Sequence, residues 1–383
     1  MPTTMVRLLV LAAATATVAC ASAAGSHAAA GSGVAADASR APTPRYSTDS
    51  ATPASVRALL SVLADDSMEG RGTATDGGDR AAKFIAEQMK RIGLEPGGDS
   101  GYFQRVPLVL RNKRAYALKS FAEFDSLPPA QRRIAVNVVG IVRGARTGSA
   151  QTPSPADSVV LIDAHYDHLG IGRAVNGDSI YNGADDDGSG TVAVLEVARA
   201  IRRDGPHRRT IIFVATTGEE IGLLGTNWYV AHPWAPIKMM VANLEFEMIG
   251  RPDSLAGGAG RAWLTGYERS TMGATFHAAG LAVMPDARPC QHFFTRSDNK
   301  AFADAGVPAH TLSTFNLHTD YHRPSDELSK VDFDHMAKVI NIGIHAIRML
   351  ADGPAPVWLP GGRPKMPDTK PDTVCPRTGR GGG

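Results

Sequence analysis

The stretch YNGADDDGSG (181–190) sets three aspartates side by side between glycines. Adjacent like charges repel, and neither a helix nor a strand gains from them. Other groups able to do chemistry stand just after short apolar runs. His165 and Asp167 follow VVLIDA, Glu219 and Glu220 follow IIFVATTG, and Glu247 follows VANLEF. Each alone has an ordinary explanation: DDDG as a turn with a helix cap, a histidine at a strand end as structure, Glu-Glu as a solvated first helical turn. Together they crowd many carboxylates near one crevice, which is prohibitive without a cation. A bound divalent metal removes that repulsion. Histidine with carboxylate suits Zn²⁺ better than Mg²⁺ or Ca²⁺, which prefer oxygen alone. The central Asp186 is placed to bridge two ions about 3.5–4 Å apart. His165 and Asp167, two apart, point the same way if extended, so the Asp167 carboxylate is expected to accept the second ring N–H of His165. A further histidine ligand is expected from LHTDYHRPSDELSKVD (317–332), as His318 or His322. His168 is expected only to line the site, and His310, inside an apolar run, to serve the core or surface.

These groups need a scaffold, and the apolar periodicity supplies one. ASVRALLSVLAD and DRAAKFIAEQMKRIGL read as helices, the second with Phe84, Ile85, Met89 and Ile92 on one stripe and Gly93 as a stop. SVVLIDAH, TIIFVATT, MVANLEFE and AHTLSTF read as short strands. SGTVAVLEVARAIRRD and DFDHMAKVINIGIHAIRML read as long helices. This alternation predicts an α/β fold of three layers, α/β/α, around a central mixed, mostly parallel sheet. Residues 107–135 read as a strand plus a surface excursion. The acids and imidazoles fall at the carboxyl ends of the strands, where open α/β sheets bind ligands.

The 383 residues are 43% hydrophobic and 20% charged, enough for one large enzyme domain with tails. The net charge is +2, and the one dense basic run, RRDGPHRR (202–209), has no interleaved aromatics, which argues against nucleic-acid binding. Arg7 followed by LLVLAAATATVA and small residues reads as a signal peptide over 1–24, too short for a membrane span. Export to the periplasm or exterior is the expectation, with a lipid anchor on Cys20 as the alternative. Residues 25–50 read as a disordered linker, 51–353 as the catalytic domain and 354–383 as a disordered Pro/Gly-rich tail. Cys20, Cys290 and Cys375 make no disulfide framework. The last two are read as solitary, with pairing as the alternative.

The motifs AHYDHLG, NGADDDGSG, TTGEEIGLLGT, NLEFEMIG, RSDNKAFADAGVPA and HRPSD, in this order, resemble the di-zinc aminopeptidases of the M28 peptidase family, over roughly residues 50–350. The resemblance implies two Zn²⁺ per chain and hydrolysis of N-terminal residues from peptides with a free N-terminus. It implies His165 as ligand of one zinc, Asp186 as the bridge, Glu220 as ligand of the other, and Glu219 as general base toward a zinc-activated water. Glu247 stands where the family most often has Asp, as a ligand lengthened by one methylene. His322 is implied as the last ligand by the HRPSD spacing, with His318 as the fallback. Tyr321 is a candidate oxyanion donor or a packed aromatic. Asn299 stands where the family often has His, which bears on substrate contacts. Three rivals share the fold: a single-zinc glutaminyl cyclase, a carboxypeptidase using Arg251 or Arg296 as a clamp, and a metal-free binding module. Asp187 after the metal aspartate, where cyclases usually carry Ser, favours the peptidases, and a coordinating residue at every ligand position argues against the module.

Overall fold

Strict alternation of apolar side chains in the central strands decides the layering. The computed structural model describes residues 50–111, 114–146 and 154–364. The expected signal peptide, Cys20 and nearly all of the linker lie outside them. The strands are β1 (Glu95–Pro96), β2 (Phe103–Arg111), β3 (Arg114–Ala117), β4 (Arg132–Val142), β5 (Val159–His165), β6 (Gly170–Val175), β7 (Asp178–Tyr181), β8 (Thr210–Thr216), β9 (Met240–Glu247), β10 (Ala262–Leu264), β11 (Val283–Pro285) and β12 (Ala309–Ser313). The main sheet runs β11-β10-β12-β9-β5-β8-β4-β2-β3, with β1 on β4. Its centre, β12, β9, β5 and β8, is parallel, and antiparallel strands flank it. In β5, Val160, Ile162 and Ala164 join one core, while Val159 and Leu161 join the other. In β8, Ile211, Phe213 and Ala215 alternate with Ile212 and Val214 in the same way. Strands buried on both faces read as near-continuous apolar runs, and these do, apart from Asp163, which accepts from the Asn243 side chain.

Helices Pro53–Leu63, Asp76–Ile92, Gly190–Asp204 and Phe333–Asp352 cover the first face through Leu60, Ile85, Leu195 and Ile344. Helices Leu224–Ala231 and Asn299–Asp304 cover the second through Tyr229 and Phe302. Capping follows the sequence signals. Thr52 and Ser55 form a capping box, Thr75 caps the second helix, and Gly93 ends it in the left-handed region at φ 84°. The expected α/β/α sandwich with a mixed central sheet is what the chain forms.

Three expectations are corrected. The excursion within 107–135 is a β2–β3 hairpin, a short helix Phe121–Ser126 and the start of β4, packed through Val106, Ala135 and Trp228. The Pro/Gly-rich tail is not free from 354. Trp358 donates from Nε1 to the Gly306 carbonyl at 3.0 Å and sits beside Phe294 and His310, and Leu359 N–H donates to the Arg269 carbonyl. One large aromatic with a satisfied N–H suffices to anchor it. Cys290, on an exposed loop, is disulfide-bonded rather than solitary. Its partner lies outside the described residues, as do both other cysteines.

His310 is a core residue. It is buried in β12, with Nδ1 2.7 Å from the Thr265 carbonyl and Nε2 2.7 Å from Ser270 Oγ. Burial pushes its pKa down to about 4. The folded state therefore resists a proton that the unfolded chain takes near pH 6.5. Stability falls as pH drops through that interval, by about 3 kcal/mol from this group alone. Urea unfolding of wild type and His310→Gln at neutral pH and at about pH 4.5 should show the gap between them narrowing in acid. A gap unchanged by pH assigns the acid sensitivity elsewhere.

Candidate metal centre

Four parallel strands end on one edge, and each delivers a group there. His165 closes β5, Glu219 and Glu220 follow β8, Glu247 closes β9, and the loop after β12 carries His318 and His322. Gly218, at φ 73°, turns the chain out of β8 so that the two glutamates stand in a turn before the helix Leu224–Ala231, rather than in its first turn.

The three aspartates are separated by aim, and that answers the repulsion between them. They occupy a tight turn, Ala184–Ser189, entered from Gly183 in the left-handed region, with a cis peptide between Asp186 and Asp187. Asp185 Oδ1 accepts from Gly250 N–H at 2.6 Å, and its Oδ2 lies 3.0 Å from His318 Nε2. Asp187 Oδ1 accepts from Gly190 N–H at 2.9 Å and Met248 N–H at 3.0 Å. Asp186 alone turns its carboxylate into the crevice. Its own amide donates to Asp326 of the HRPSD motif at 3.0 Å. His318 thus belongs to Asp185 and a loop contact, while His322 faces the crevice.

Around Asp186 the donors fall into two groups. His165, Asp186 and Glu247 form one. His168, Asp186 and Glu220 form the other, with the ligand atoms in each within 4.8 Å of one another. His165 Nε2 is 3.4 Å from Asp186 Oδ1. His322 Nε2 is 3.2 Å from Asp186 Oδ2 and 3.1 Å from Glu220 Oε2. His168 Nδ1 is 2.6 Å from Glu220 Oε1. His165 Nε2, His168 Nδ1, Asp186 Oδ2, Glu220 Oε1 and Glu247 Oε2 are all buried without a hydrogen-bond partner. Buried polar atoms in native proteins are seldom left so, and five converging on one place fit a cation. The nitrogen-and-carboxylate set fits zinc.

The local electrostatics carry the same strain. Burial, reinforced by Asp186 and Asp298 against the pull of His165, raises Glu247 to about 7. Burial also holds Glu219 well above the usual carboxylate range, against His165 and with Glu247, Asp298 and Glu220 adding to it. Burial opposes the charge of His322, but Asp186 and Glu220 outweigh it and raise it to about 10. A cation among the carboxylates relieves all three.

Asp167 does not act as the spacing predicts. His165 Nδ1 is 3.0 Å from the main-chain carbonyl of Asp167, and the Asp167 carboxylate stands 3.9 Å away. The chain leaves β5 at His165, so the two side chains no longer share a strand face. The carboxylate instead accepts from Thr73 Oγ1 at 2.8 Å and from the Glu219 amide at 3.2 Å. It holds the backbone of Glu219. Glu219 Oε2 lies 3.9 Å from His165 Nε2. Glu219 opens onto a pocket walled by Asp186, Glu247, Trp263, Phe293, Phe315 and Tyr321. The Tyr321 ring stacks on His322 at 3.8 Å and tilts against Phe315 at 5.0 Å. Asn299 is buried away from this pocket, donating to the Phe294 carbonyl from its side chain and to Glu245 from its amide. Its departure from the family pattern does not touch the pocket wall.

Sequence reasoning passed over three supports. Arg71 is fully buried and donates to the carbonyls of Leu63, Tyr166, Asn182 and Gly183. Its charge faces Asp187, Asp326, Asp186 and Asp167. Glu245 accepts from Ser297, Thr311 and the amides of Asp298 and Asn299, and Asp298 accepts from Thr216 and Thr226. Arg71 lies in DSMEGRGT, where nothing in the spacing marks it. Glu245 alternates with Glu247 and reads as an ordinary strand position.

The fold is shared with proteins of solved structure. A zinc aminopeptidase from Bacillus subtilis superposes with a TM-score of 0.56 at 15% identity, over 79% of this chain and 96% of that one. LapB from Legionella pneumophila gives 0.55 at 21%, over 78% and 72%. A glutaminyl cyclase from an Acidobacteriales bacterium gives 0.54 at 18%, over 82% and 99%. At such identities the likeness is one of fold. In sequence, a vacuolar membrane protease of Lachancea thermotolerans is 27% identical over 193 residues, half of this chain and 18% of that protein. A protein of that name from Candida albicans is 25% identical over 190 residues, half of this chain and 21% of its own length. The chain thus spans about a fifth of the length of these relatives. Residues 137–347, more than half of the chain, match the model of peptidase family M28, and the chain belongs to that family.

Proposed function

We propose that the protein is a di-zinc aminopeptidase that removes N-terminal residues from peptides. One observation carries this reading: two donor groups share Asp186, and the carboxylate of Glu219, in neither group, stands beside them on the pocket wall. His165, Asp186 and Glu247 would hold one ion, and Asp186, Glu220 and His322 the other. Zinc so held acidifies water and polarises a carbonyl. Glu219 takes the proton of the attacking water at its carboxylate and passes it to the leaving amine nitrogen. Asp167 fixes the Glu219 backbone, and the Tyr321 hydroxyl is the candidate donor to the oxyanion. The aromatic rings of Trp263, Phe293 and Phe315 on the pocket wall would face a substrate side chain, and the acids beside them would receive the free amine. No described helix is long and apolar enough to cross a membrane. Export through the N-terminal segment remains part of this proposal.

The carboxypeptidase alternative loses one of its clamps, because Arg251 is tied to Asp320 at 2.7 Å and Asp326 at 3.0 Å. Arg296 lines the pocket, stacked over Phe293. A single substrate set separates the readings. A short peptide with both ends free, its N-acetylated form and its C-amidated form are incubated with the zinc-loaded protein. Cleavage of the free and amidated forms only is the expected result. Cleavage of the acetylated form but not the amidated one overturns it in favour of a carboxypeptidase. Cyclisation of an N-terminal glutamine without hydrolysis overturns it in favour of the cyclase.

A further inference from the structure

We infer that His168 is itself a ligand of the metal ion on the Glu220 side, which would make that site richer in nitrogen than its neighbour. The inference rests on the two-ion reading and adds a residue to it. The His168 side chain is fully buried. Its Nδ1 lies 2.6 Å from Glu220 Oε1 and 3.8 Å from Asp186 Oδ2, the two carboxylates that His322 also approaches. At 2.6 Å a nitrogen and a carboxylate oxygen either share a proton in line or repel. Here neither Nδ1 nor Glu220 Oε1 has an aligned hydrogen-bond partner. Ligand atoms of His168, Asp186 and Glu220 lie within 4.8 Å of one another, so one ion beside the His168–Glu220 contact could be reached by all three.

The backbone is built to put the ring there. The His168 amide donates to the Arg71 carbonyl at 3.3 Å, which ties the turn after β5 to the segment held by the buried Arg71. Gly183 opens the aspartate turn at φ 54°, a region that favours glycine. A Cβ at Gly183 would lie 2.6 Å from Cγ and Cδ2 of His168. It would lie closer still, at 2.2 Å, to the Asp186 carbonyl oxygen, so the glycine serves the turn first and the imidazole packs against it. A histidine that merely packed would not need the approach to Glu220. The rival is a positioning role, in which His168 orients Glu220 without touching the ion.

Binding and spectroscopy of the metal-free protein, reloaded with zinc or cobalt, separate these. In His168→Ala, one equivalent of zinc should bind as in wild type and the second more than roughly 100-fold more weakly, beyond the range for removing a ligand's outer partner. In His168→Cys, cobalt loading should produce a sulfur-to-cobalt charge-transfer band, which requires direct bonding. Unfolding midpoints in urea check that both variants fold. Two equivalents at wild-type affinity in His168→Ala overturn the inference. So does a loss of about 10–100-fold with no charge-transfer band in a folded His168→Cys protein. Failure of wild type to take two equivalents would instead strike the two-ion reading itself.

Discussion

Glu219→Gln should lower kcat by on the order of 10²–10⁴-fold, the usual worth of a positioned proton-transfer group, with metal content and unfolding midpoint as in wild type. The argument is geometric. Glu219 lies in neither donor group, yet its Oε2 is 3.9 Å from His165 Nε2 and its side chain opens onto the pocket. Glutamine keeps the volume and the backbone amide that Asp167 accepts, and removes only the capacity to carry a proton. Burial and the neighbouring acids already disfavour charge at this position, so a neutral isostere should not destabilise the fold. Because the step is lost only in the transition state, kcat and kcat/KM should fall together. Loss of metal along with activity would show that Glu219 is a ligand. Full activity would remove it from the reaction.

The carboxyl-edge placement of His165, Glu219, Glu220 and Glu247 was legible because it needs only strand length and period. β5 and β8 are buried on both faces, so their sequences are nearly continuous apolar runs, broken in β5 only by Asp163, and the polar cluster that follows each marks the sheet edge, while in β9 Asn243 and Glu245 already interrupt the run before Glu247. The directions of side chains beyond those ends were not legible. Asp167 misses His165 because the chain leaves the strand at His165, which no periodicity reports. The three aspartates read as one feature but point three ways, because Gly183 and Gly190 admit close approaches that only coordinates reveal. His168 looked like a bystander for the same reason. Arg71 stayed hidden because its partners are four main-chain carbonyls, and carbonyls carry no residue-type signal. Trp358, in a segment of tail-like composition, packs because one aromatic outweighs its neighbours' polarity.

Asp186→Ala should empty both sites at once, with a larger effect than loss of any other ligand. Asp186 is the one side chain present in both donor groups. The tether that positions it, its amide to Asp326, is main-chain and survives the change. The substitution also removes one buried carboxylate from among Glu220, Glu247 and Asp187. Against its burial, His168, His165 and His322 nevertheless hold the Asp186 carboxyl well below the usual carboxylate range, so the metal-free variant should be somewhat less stable than metal-free wild type, and the response to added zinc, rather than the starting stability, reads out the loss of the sites. Stabilisation by ligand follows the occupied fraction, and zinc at a thousandfold above its Kd raises stability by about 4 kcal/mol per site. Wild type should gain on that order in urea when zinc is added, and Asp186→Ala should gain almost nothing. Asp187→Asn is the matched control. Asp187 Oδ1 serves the amides of Gly190 and Met248, which an asparagine oxygen still accepts, so this variant should bind zinc and respond to it as wild type does. One equivalent of tightly held zinc in Asp186→Ala would mean that the groups are independent and that the bridge is not what unites them. The three consecutive carboxylates would then be a device for shaping the turn, with only a peripheral part in holding metal.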